Sequence, residues 1–417
     1  MKLLVKKSKP LNGYINIGGS KNSALPIMAA SLLTSKKCLL KNIPDLADIN
    51  TMLILLKSLG VDYSYSSDHL LLKGSKKLKN FANYELVRKM RASILVLGPL
   101  LARTGSAKVS LPGGCAIGTR PIDLHLYALQ KLGANIKIKN GYVYAEAKQG
   151  LKGNKIKFLT VSVGATENAV LASVIAKGKT IIENAAREPE VQDLCNFLNV
   201  MGAKISNIGK KTIIIEGVKN LKSVEYKIIP DRIVAGTFLI AGLITRGKLK
   251  IDNIIPDHLK YPIKILKKMG AKIQIGKNYI LLKKSSVNLK PIKIKTSPYP
   301  GFPTDLQAQF MTLLTIVRGK SHIQENIFEN RFMHVSELNR LGANIKVKKD
   351  KSIIEGVKKL IGANVMASDL RASVSLILAG LVAEGKTVIS RIYHLDRGYE
   401  KIEDKLNSCG SNIKRYK

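Results

Sequence analysis

Two hydropathy patterns alternate along this chain, and their alternation predicts its architecture. The first is a block of ten or more residues that is apolar on nearly every side, as in Arg371-Ala-Ser-Val-Ser-Leu-Ile-Leu-Ala-Gly-Leu-Val-Ala. A helix apolar most of the way round belongs inside a domain. The second is a short run of period two, as in Ala134-Asn-Ile-Lys-Ile-Lys followed by Tyr142-Val-Tyr-Ala-Glu. That period predicts a hairpin with one face buried. Helices of the usual amphipathic kind lie between the two patterns, and each ends at a glycine of a recurring Leu-Gly-Ala-Asn-Ile type.

The recurrence is regular. The marker glycines are Gly60, Gly133, Gly202, Gly270, Gly342 and Gly410, spaced by 73, 69, 68, 72 and 68 residues. Glycine just past a helix is the usual left-handed C-terminal cap. A second marker keeps step with it. Apolar helices end in Ala-Arg-Thr-Gly105, Ala-Lys-Gly178, Thr-Arg-Gly247, Val-Arg-Gly319 and Ala-Glu-Gly385, with Leu33-Thr-Ser-Lys-Lys at the first position, and each leads into a strand. Every unit therefore reads helix, strand, helix, hairpin, with a strand leading in.

Six such units divide as three and three. The fold class expected is α/β with α+β character: two similar lobes of three repeats each, with buried helices. One boundary falls near Pro230. The first lobe spans 20–229 and carries the loop around Cys115. The second spans 1–19 plus 230–417, because the last unit lacks its final hairpin strand and the N-terminal strand, read as Leu3–Gly19, completes it. Two chain crossings would then flank a cleft able to open and close. A stacked solenoid is the alternative, but its repeats usually run only about 20–50 residues.

Composition narrows the function classes. Net charge is +40, from 69 basic and 29 acidic residues, yet only 14 of the basic residues are arginine. The lysines are spread over exposed-looking positions, without a dense basic arm or an interleaved aromatic platform of the kind single-strand binders use. A nucleic-acid scaffold is therefore supported by charge alone, and no specific nucleic-acid partner is expected. The basic field would still draw in polyanionic small substrates. No apolar run reaches the roughly 18 residues of a membrane span, and the N-terminus lacks a signal-peptide pattern, so the expectation is a cytoplasmic monomer with no membrane partner. Cys38, Cys115, Cys195 and Cys409 are scattered without a Cys-x-x-Cys pair, which argues against a zinc site.

The chemistry concentrates in Leu111-Pro-Gly-Gly-Cys-Ala-Ile-Gly-Thr-Arg-Pro-Ile-Asp123, where one thiol stands among three glycines and close to Arg120. Such a loop can swing over a ligand and carry a reactive group with it. The adjacent guanidinium would favour thiolate or hold an anion. Other segments carry charge at places suited to anions. Gly18-Gly-Ser-Lys-Asn-Ser-Ala-Leu-Pro26 feeds a glycine turn into a helix start, a ready anion site. Arg331, Arg371 and Arg397 are guanidinium exceptions in a lysine-rich chain. Asp305 stands before an apolar helix and could equally serve as its N-cap.

Taken together, these segments resemble the enolpyruvyl transferase family over essentially the whole length. The resemblance rests on the two segments above and on Ser162-Val-Gly-Ala-Thr-Glu-Asn168, Pro300-Gly-Phe-Pro-Thr-Asp-Leu-Gln307, Glu325-Asn-Ile-Phe-Glu-Asn-Arg331, Asp369-Leu-Arg-Ala-Ser373 and Asp396-Arg-Gly398. It implies an inside-out α/β barrel in each lobe. It also implies transfer of the enolpyruvyl group of phosphoenolpyruvate to the 3-hydroxyl of UDP-N-acetylglucosamine, with release of phosphate and with neither metal nor cofactor. The branch acting on shikimate 3-phosphate is the alternative, but it lacks the Gly-Gly-Cys loop. By the resemblance, Lys21, Arg120 and Arg397 hold the phosphate, and Arg331 and Arg371 hold the carboxylate. Cys115 is the general acid at C3 and can also trap phosphoenolpyruvate as a thiol adduct, and Asp305 is the base. Arg91, Arg120, Pro121, Ile122, Asp123 and Leu124 contact the uridine diphosphate, with Thr160, Val161, Ser162 and Val163. Asn22, Asp305 and Ile327 contact the sugar. Asp48, Glu188 and Asp369 take supporting roles. A cysteine at position 115 implies alkylation by the epoxide antibiotic fosfomycin.

Overall fold

The structure is a computed structural model and describes every residue except 67–68, 114–116, 119–120, 285–287 and 417. Backbone contacts divide the chain into two compact units. One comprises Met1–Gly18, Ala116–Gly118 and Pro230–Lys417, and the other Gly19–Cys115 and Thr119–Ile229. No helix among the described residues is long and apolar enough to cross a membrane.

Among the described residues, six four-stranded sheets account for the strands, one for each repeat. The sheet containing Lys179–Glu183 shows the plan. That strand runs parallel to the incoming Lys155–Lys157 and antiparallel to Thr212–Glu216, which in turn pairs antiparallel with Lys204–Ser206. Its burial alternates, with Thr180 and Ile182 inward and Lys179 and Ile181 outward. The equivalent strands Lys37–Lys41, Lys248–Asp252, Lys320–Gln324 and Lys386–Ser390 bury the same two positions. One face of each sheet therefore packs on the helices while the other carries lysine into solvent, which is what period-two patterning requires.

Each unit has one helix per repeat buried at its centre. In the first-lobe unit these are Lys21–Ala30, Leu97–Thr104 and Val163–Ser173. In the other they are Arg232–Ile244, Gln307–Leu314 and Leu370–Gly380. Gln307–Leu314 packs on both Leu370–Gly380 and Arg232–Ile244. The small residues read from the sequence explain how such helices approach one another. Gly98 donates its N–H to Oδ1 of Asn168 at 2.8 Å, and a Cβ at position 98 would lie 2.3 Å from that oxygen. Asn168 also donates to the Ile94 carbonyl at 3.3 Å and lies 3.2 Å from Nδ1 of His125. One buried amide thus pins three segments together.

The repeat glycines behave as caps. Gly60, Gly133, Gly202, Gly270, Gly342 and Gly410 all have φ between 87° and 106°, a region that favours glycine because a Cβ would clash there. The chain ends close both units through strands far apart in sequence. Lys2–Lys6 lies between Lys386–Ser390 and Asn412–Tyr416, in the place the second hairpin strand holds in the other sheets. Asn12–Asn16 runs parallel to Lys248–Asp252 as the entry strand of the fourth repeat. The segment read as one strand over Leu3–Gly19 is therefore two strands serving two sheets. The break falls at Ser8–Pro10, where proline lacks the N–H that a ladder needs. In the other unit, Val224–Lys227 returns to pair in parallel with Lys37–Lys41.

Gly98→Ala should lower the stability of the unit that contains it by about 1–3 kcal/mol through overpacking against Asn168. Urea unfolding followed by circular dichroism checks this, and an unchanged midpoint would mean that the helices separate at no cost.

Candidate active site

In the unit that carries residues 230–417, three of the charged residues singled out in the sequence meet. Asp305 lies in a short 3-10 turn, Thr304–Leu306, ahead of the buried helix Gln307–Leu314. Its Oδ1 accepts from Nη2 of Arg331 at 2.8 Å, and its Oδ2 accepts from Nη2 of Arg371 at 3.0 Å. Both guanidinium groups are buried while the carboxylate stays part-exposed, with side chains 4%, 7% and 30% accessible respectively. The N-cap of the following helix is Leu306, without a side-chain bond, so both Asp305 oxygens engage arginines where a capping role was the alternative.

Local structure fixes each partner. Arg371 sits in the first turn of Leu370–Gly380, where Oδ1 of Asp369 accepts from the N–H groups of Arg371 and Ala372 at 2.8 and 3.1 Å. That is a standard N-cap bond pair. Burial works against the charge of Arg371, and the carboxylate of Asp305 together with Tyr399 outweighs it, so its pKa stands above the ordinary arginine value. Arg331 ends the loop that begins at Glu325. The Glu325 carboxylate is buried, and its Oε1 accepts from Thr296 Oγ1 at 3.0 Å and from the N–H groups of Ile327 and Phe328 at 2.9 and 3.3 Å. Its Oε2 accepts from Thr304 Oγ1 at 2.9 Å. One acid therefore ties the Ile327–Arg331 loop to the turn that presents Asp305. The sequence placed Glu325 in a motif without giving it a role. Its only local signal is an acidic residue directly after the alternating strand Lys320–Gln324.

Arg331 offers more than it uses. Nε of Arg331 is buried and has no hydrogen-bond partner among the described residues. A buried unpaired donor is costly, and a guanidinium has five donors in a planar fork matched to a carboxylate. Arg397 closes the 3-10 turn Ile392–Arg397, and its neighbour Asp396 makes a bidentate pair with Arg415 at 2.8 and 2.9 Å, anchoring that turn to the last strand. Ile327 is half-buried.

The other unit carries the remaining candidates. Lys21 opens the helix Lys21–Ala30, and its Nζ lies 2.9 Å from Oδ2 of Asp48, itself in the first turn of Ala47–Ser58. Both side chains are largely buried, at 12% and 5% accessible. Asn22 follows half-buried in the same first turn. Gly19 is held against Asn42, where a Cβ would fall 1.8 Å from the carbonyl oxygen. Ser20 makes no side-chain cap bond, and its Oγ is buried without a partner among the described residues. Arg91 donates through Nη2 to the Pro121 carbonyl at 3.3 Å. Pro121 is exposed, Ile122 is buried, and Asp123 is the exposed first residue of the helix Asp123–Lys131, with Leu124 half-buried behind it. Thr160 and Val163 are exposed, and Val161 and Ser162 half-buried. Ser162 caps Val163–Ser173 by accepting from the Ala165 N–H at 3.3 Å. Cys115 and Arg120 lie outside the described residues.

His334, behind Arg331, was not singled out in the sequence. Burial, opposed by Asp369 and reinforced by Arg331, pushes its pKa down to about 4. The sign follows from linkage. A depressed folded-state pKa means that the unfolded chain binds the proton more readily, so stability falls as pH drops from about 6.5 toward 4. Denaturant midpoints taken at steps across that window should decline for the native protein. In His334→Leu the part of the decline due to this group should be gone, and an identical decline in both proteins would remove His334 as its source.

Comparison with known proteins finds relatives along essentially the whole chain. A family model described as EPSP synthase (3-phosphoshikimate 1-carboxyvinyltransferase) matches residues 5–406. The chain is 58% identical over 414 residues to the UDP-N-acetylglucosamine 1-carboxyvinyltransferase of Pelagibacter ubique (strain HTCC1062), covering 99% of each. It is 52% identical over 417 residues to the protein of that name from Pseudoalteromonas atlantica (strain T6c / ATCC BAA-1087), covering all of both. Among solved structures, the enolpyruvyl transferase NikO from Streptomyces tendae superposes with a TM-score of 0.90 at 24% identity, over 99% of this chain and 98% of that one. EPSP synthase from Acinetobacter baumannii gives 0.78 at 18% identity over the full length of both. At these identities the two structures establish the fold.

Proposed function

The chain belongs to the EPSP synthase family of enolpyruvyl transferases, and from that membership we infer that it is a UDP-N-acetylglucosamine 1-carboxyvinyltransferase. It transfers the enolpyruvyl group of phosphoenolpyruvate to the 3-hydroxyl of UDP-N-acetylglucosamine and releases phosphate, the first committed step of peptidoglycan precursor synthesis. The observation that carries this reading from the geometry is the clamp of Asp305 between two buried guanidinium groups. A chain that resembles its curated relatives from end to end presents there a base candidate beside carboxylate-binding donors.

The reaction makes three demands. Phosphoenolpyruvate carries a carboxylate and a phosphate. Arg331 and Arg371 receive the carboxylate, and the buried unpaired Nε of Arg331 is a donor available for it. Lys21, Arg120 and Arg397 receive the phosphate, with the first N–H groups of the helix at Lys21 adding partial positive charge. The 3-hydroxyl adds to C2 while Asp305 accepts its proton, and Cys115 delivers a proton to C3, giving a tetrahedral intermediate. Loss of phosphate from C2 and of a proton from C3 then regenerates the double bond in the product ether. The thiol can alternatively add across the double bond, its sulfur to C2 and its proton to C3, and so hold phosphoenolpyruvate as a covalent adduct on Cys115. Arg91, the run from Arg120 to Leu124 and the segment Thr160–Val163 receive the uridine diphosphate, and Asn22, Asp305 and Ile327 the sugar. Asp48 orients Lys21 through their buried ion pair. The protein works as a cytoplasmic monomer in cell-wall biogenesis, and hence in cell shape and division.

Phosphate release from a mixture of phosphoenolpyruvate and UDP-N-acetylglucosamine tests the reading, with Cys115→Ser as the control expected to be inactive. Shikimate 3-phosphate in place of the nucleotide sugar should give no turnover, and turnover with that acceptor would reassign the substrate. Asp305→Asn should cost about 10²–10⁴ in kcat, the usual worth of a general base, with nucleotide-sugar affinity changed only a few-fold. Lost binding at undiminished kcat would remove it as the base. Fosfomycin should add one equivalent of mass at Cys115, and an unmodified thiol would count against the assignment.

A further inference from the structure

We propose that the phenol of Tyr399 is a positioning residue for the reaction, the hub that sets the Arg371 guanidinium against the Asp305 carboxylate. The proposal deepens the functional reading above and rests on it. Tyr399 is 2% exposed, and the ring lies under Arg371, whose guanidinium carbon is 5.7 Å from the ring centroid. Three groups meet its oxygen. Nη1 of Arg371 stands at 3.2 Å, Nε2 of Gln309 at 3.2 Å and Oγ1 of Thr237 at 2.9 Å.

The protons can be assigned from the donor and acceptor inventory. Thr237 spends its hydroxyl proton on the Ile233 carbonyl at 2.9 Å. The phenol therefore donates to Thr237 and accepts from Arg371, and Gln309 Nε2 shares its two protons among the phenol, the Asp305 carbonyl and Thr237 Oγ1, the last at 3.1 Å. Gln309 matters beyond that contact, because its Nε2 also donates to the backbone carbonyl of Asp305 at 3.0 Å. The same phenol oxygen is thus linked to Asp305 twice, once to its carboxylate through Arg371 Nη1, Nη2 and Oδ2, and once to its main chain through Gln309.

This arrangement has a geometric consequence. A guanidinium is planar and rigid, so fixing Nη1 fixes the direction of Nη2. With Nη1 held below by the phenol, Nη2 can only point along the plane to Asp305 and to whatever anion shares that plane. Removing the phenol oxygen would leave Nη1 buried without an acceptor, and the side chain would turn to find one. Neither Tyr399 nor Gln309 carries a charge, and neither reaches the carboxylate of Asp305 directly. Their action runs through Arg371 and the main chain. An amide in the all-buried helix Gln307–Leu314 is what a positioning network requires and what a purely apolar core would not contain.

The test is steady-state kinetics of Tyr399→Phe, which keeps the ring and deletes the oxygen. Expected is a fall of at least tenfold in kcat/KM for phosphoenolpyruvate, with KM for UDP-N-acetylglucosamine within twofold of the unaltered enzyme. A merely structural defect would move both substrates together. In an Arg371→Lys background, whose ammonium cannot bridge phenol and carboxylate in one plane, the same substitution should cost less than threefold. The proposal is overturned if Tyr399→Phe keeps kcat/KM for phosphoenolpyruvate within threefold, or if its full cost persists beside Arg371→Lys. If Tyr399→Phe does not fold, Gln309→Met, which cuts the second link to Asp305, takes its place. It should show the same split between the two substrates, and equal losses for both would overturn the proposal. An unaltered enzyme that releases no phosphate at all would instead refute the functional reading.

Discussion

The ion pairs that Asp305 makes with Arg331 and Arg371 organise the unit around them. Two buried cations cannot be left unpaired in a protein interior, and the carboxylate between them answers that demand at 2.8 and 3.0 Å. Each arginine is brought there by a different repeat. Arg331 is carried by the loop locked on Glu325, and Arg371 by a helix capped by Asp369. The acid itself comes from the turn at the start of the central helix Gln307–Leu314. Asp305 and Arg331 belong to the fifth repeat and Arg371 to the sixth, so the geometry of the site is the geometry of two packed repeats, and a shift of either against the other misaligns the pairs.

Repetition makes this possible at modest cost. Each repeat supplies a sheet with one apolar face, and that face needs helices to cover it. Three sheets around three buried helices satisfy the requirement in each unit. What remains is the open end of such an arrangement, where a sheet would lack a strand. Both units fill that gap from a distant part of the chain, one with Lys2–Lys6 and Asn12–Asn16 and the other with Val224–Lys227. With these non-local strands, each sheet among the described residues has four strands, and the repeats are held in a closed set. The lysine load falls on the outward sheet faces. There it is partly absorbed by contacts with rings, as where Lys108 lies within 4.9–5.1 Å of Phe81, Tyr142 and Tyr144. That cluster joins residues too far apart in sequence for the chain to have announced it, and it places aromatic rings among lysines where the sequence shows no such grouping.

Polar groups inside the apolar core are the clearest mark of function over packing. Asn168, Gln309, Thr237 and Tyr399 all lie in the core, where an aliphatic residue would pack without the burden of satisfying donors and acceptors. Asn168 repays its burial by joining three segments. The other three meet at the Tyr399 oxygen, which accepts from the guanidinium that pairs with Asp305. Hydrogen bonds in such a buried network are strengthened by the low local dielectric, and here they act on a charged group that must hold its direction, while Oε1 of Gln309 has no partner among the described residues.

What the sequence by itself determined was local and periodic. A glycine that must be left-handed after a helix, an alternation that must place one strand face inward and a block apolar on all sides each report a constraint met within a few residues. All six repeats were accordingly readable, and Gly60 through Gly410 share one backbone conformation. Residue chemistry was readable in the same way, since aspartate, arginine and lysine at particular turns state what they can bind. Tertiary structure alone decided which of them meet. Asp305, Arg331 and Arg371 are up to 66 residues apart, and nothing in their spacing says that two arginines share one carboxylate. Nor does it say that Glu325 braces the loop, or that Tyr399 lies beneath Arg371. Likewise the N-terminal segment reads as one strand but divides at Ser8–Pro10 because two different sheets each lack a partner. The physical reason is common to all of these. Secondary structure answers to interactions between near neighbours, whereas a site and a closing strand answer to vacancies that exist only once the repeats have packed.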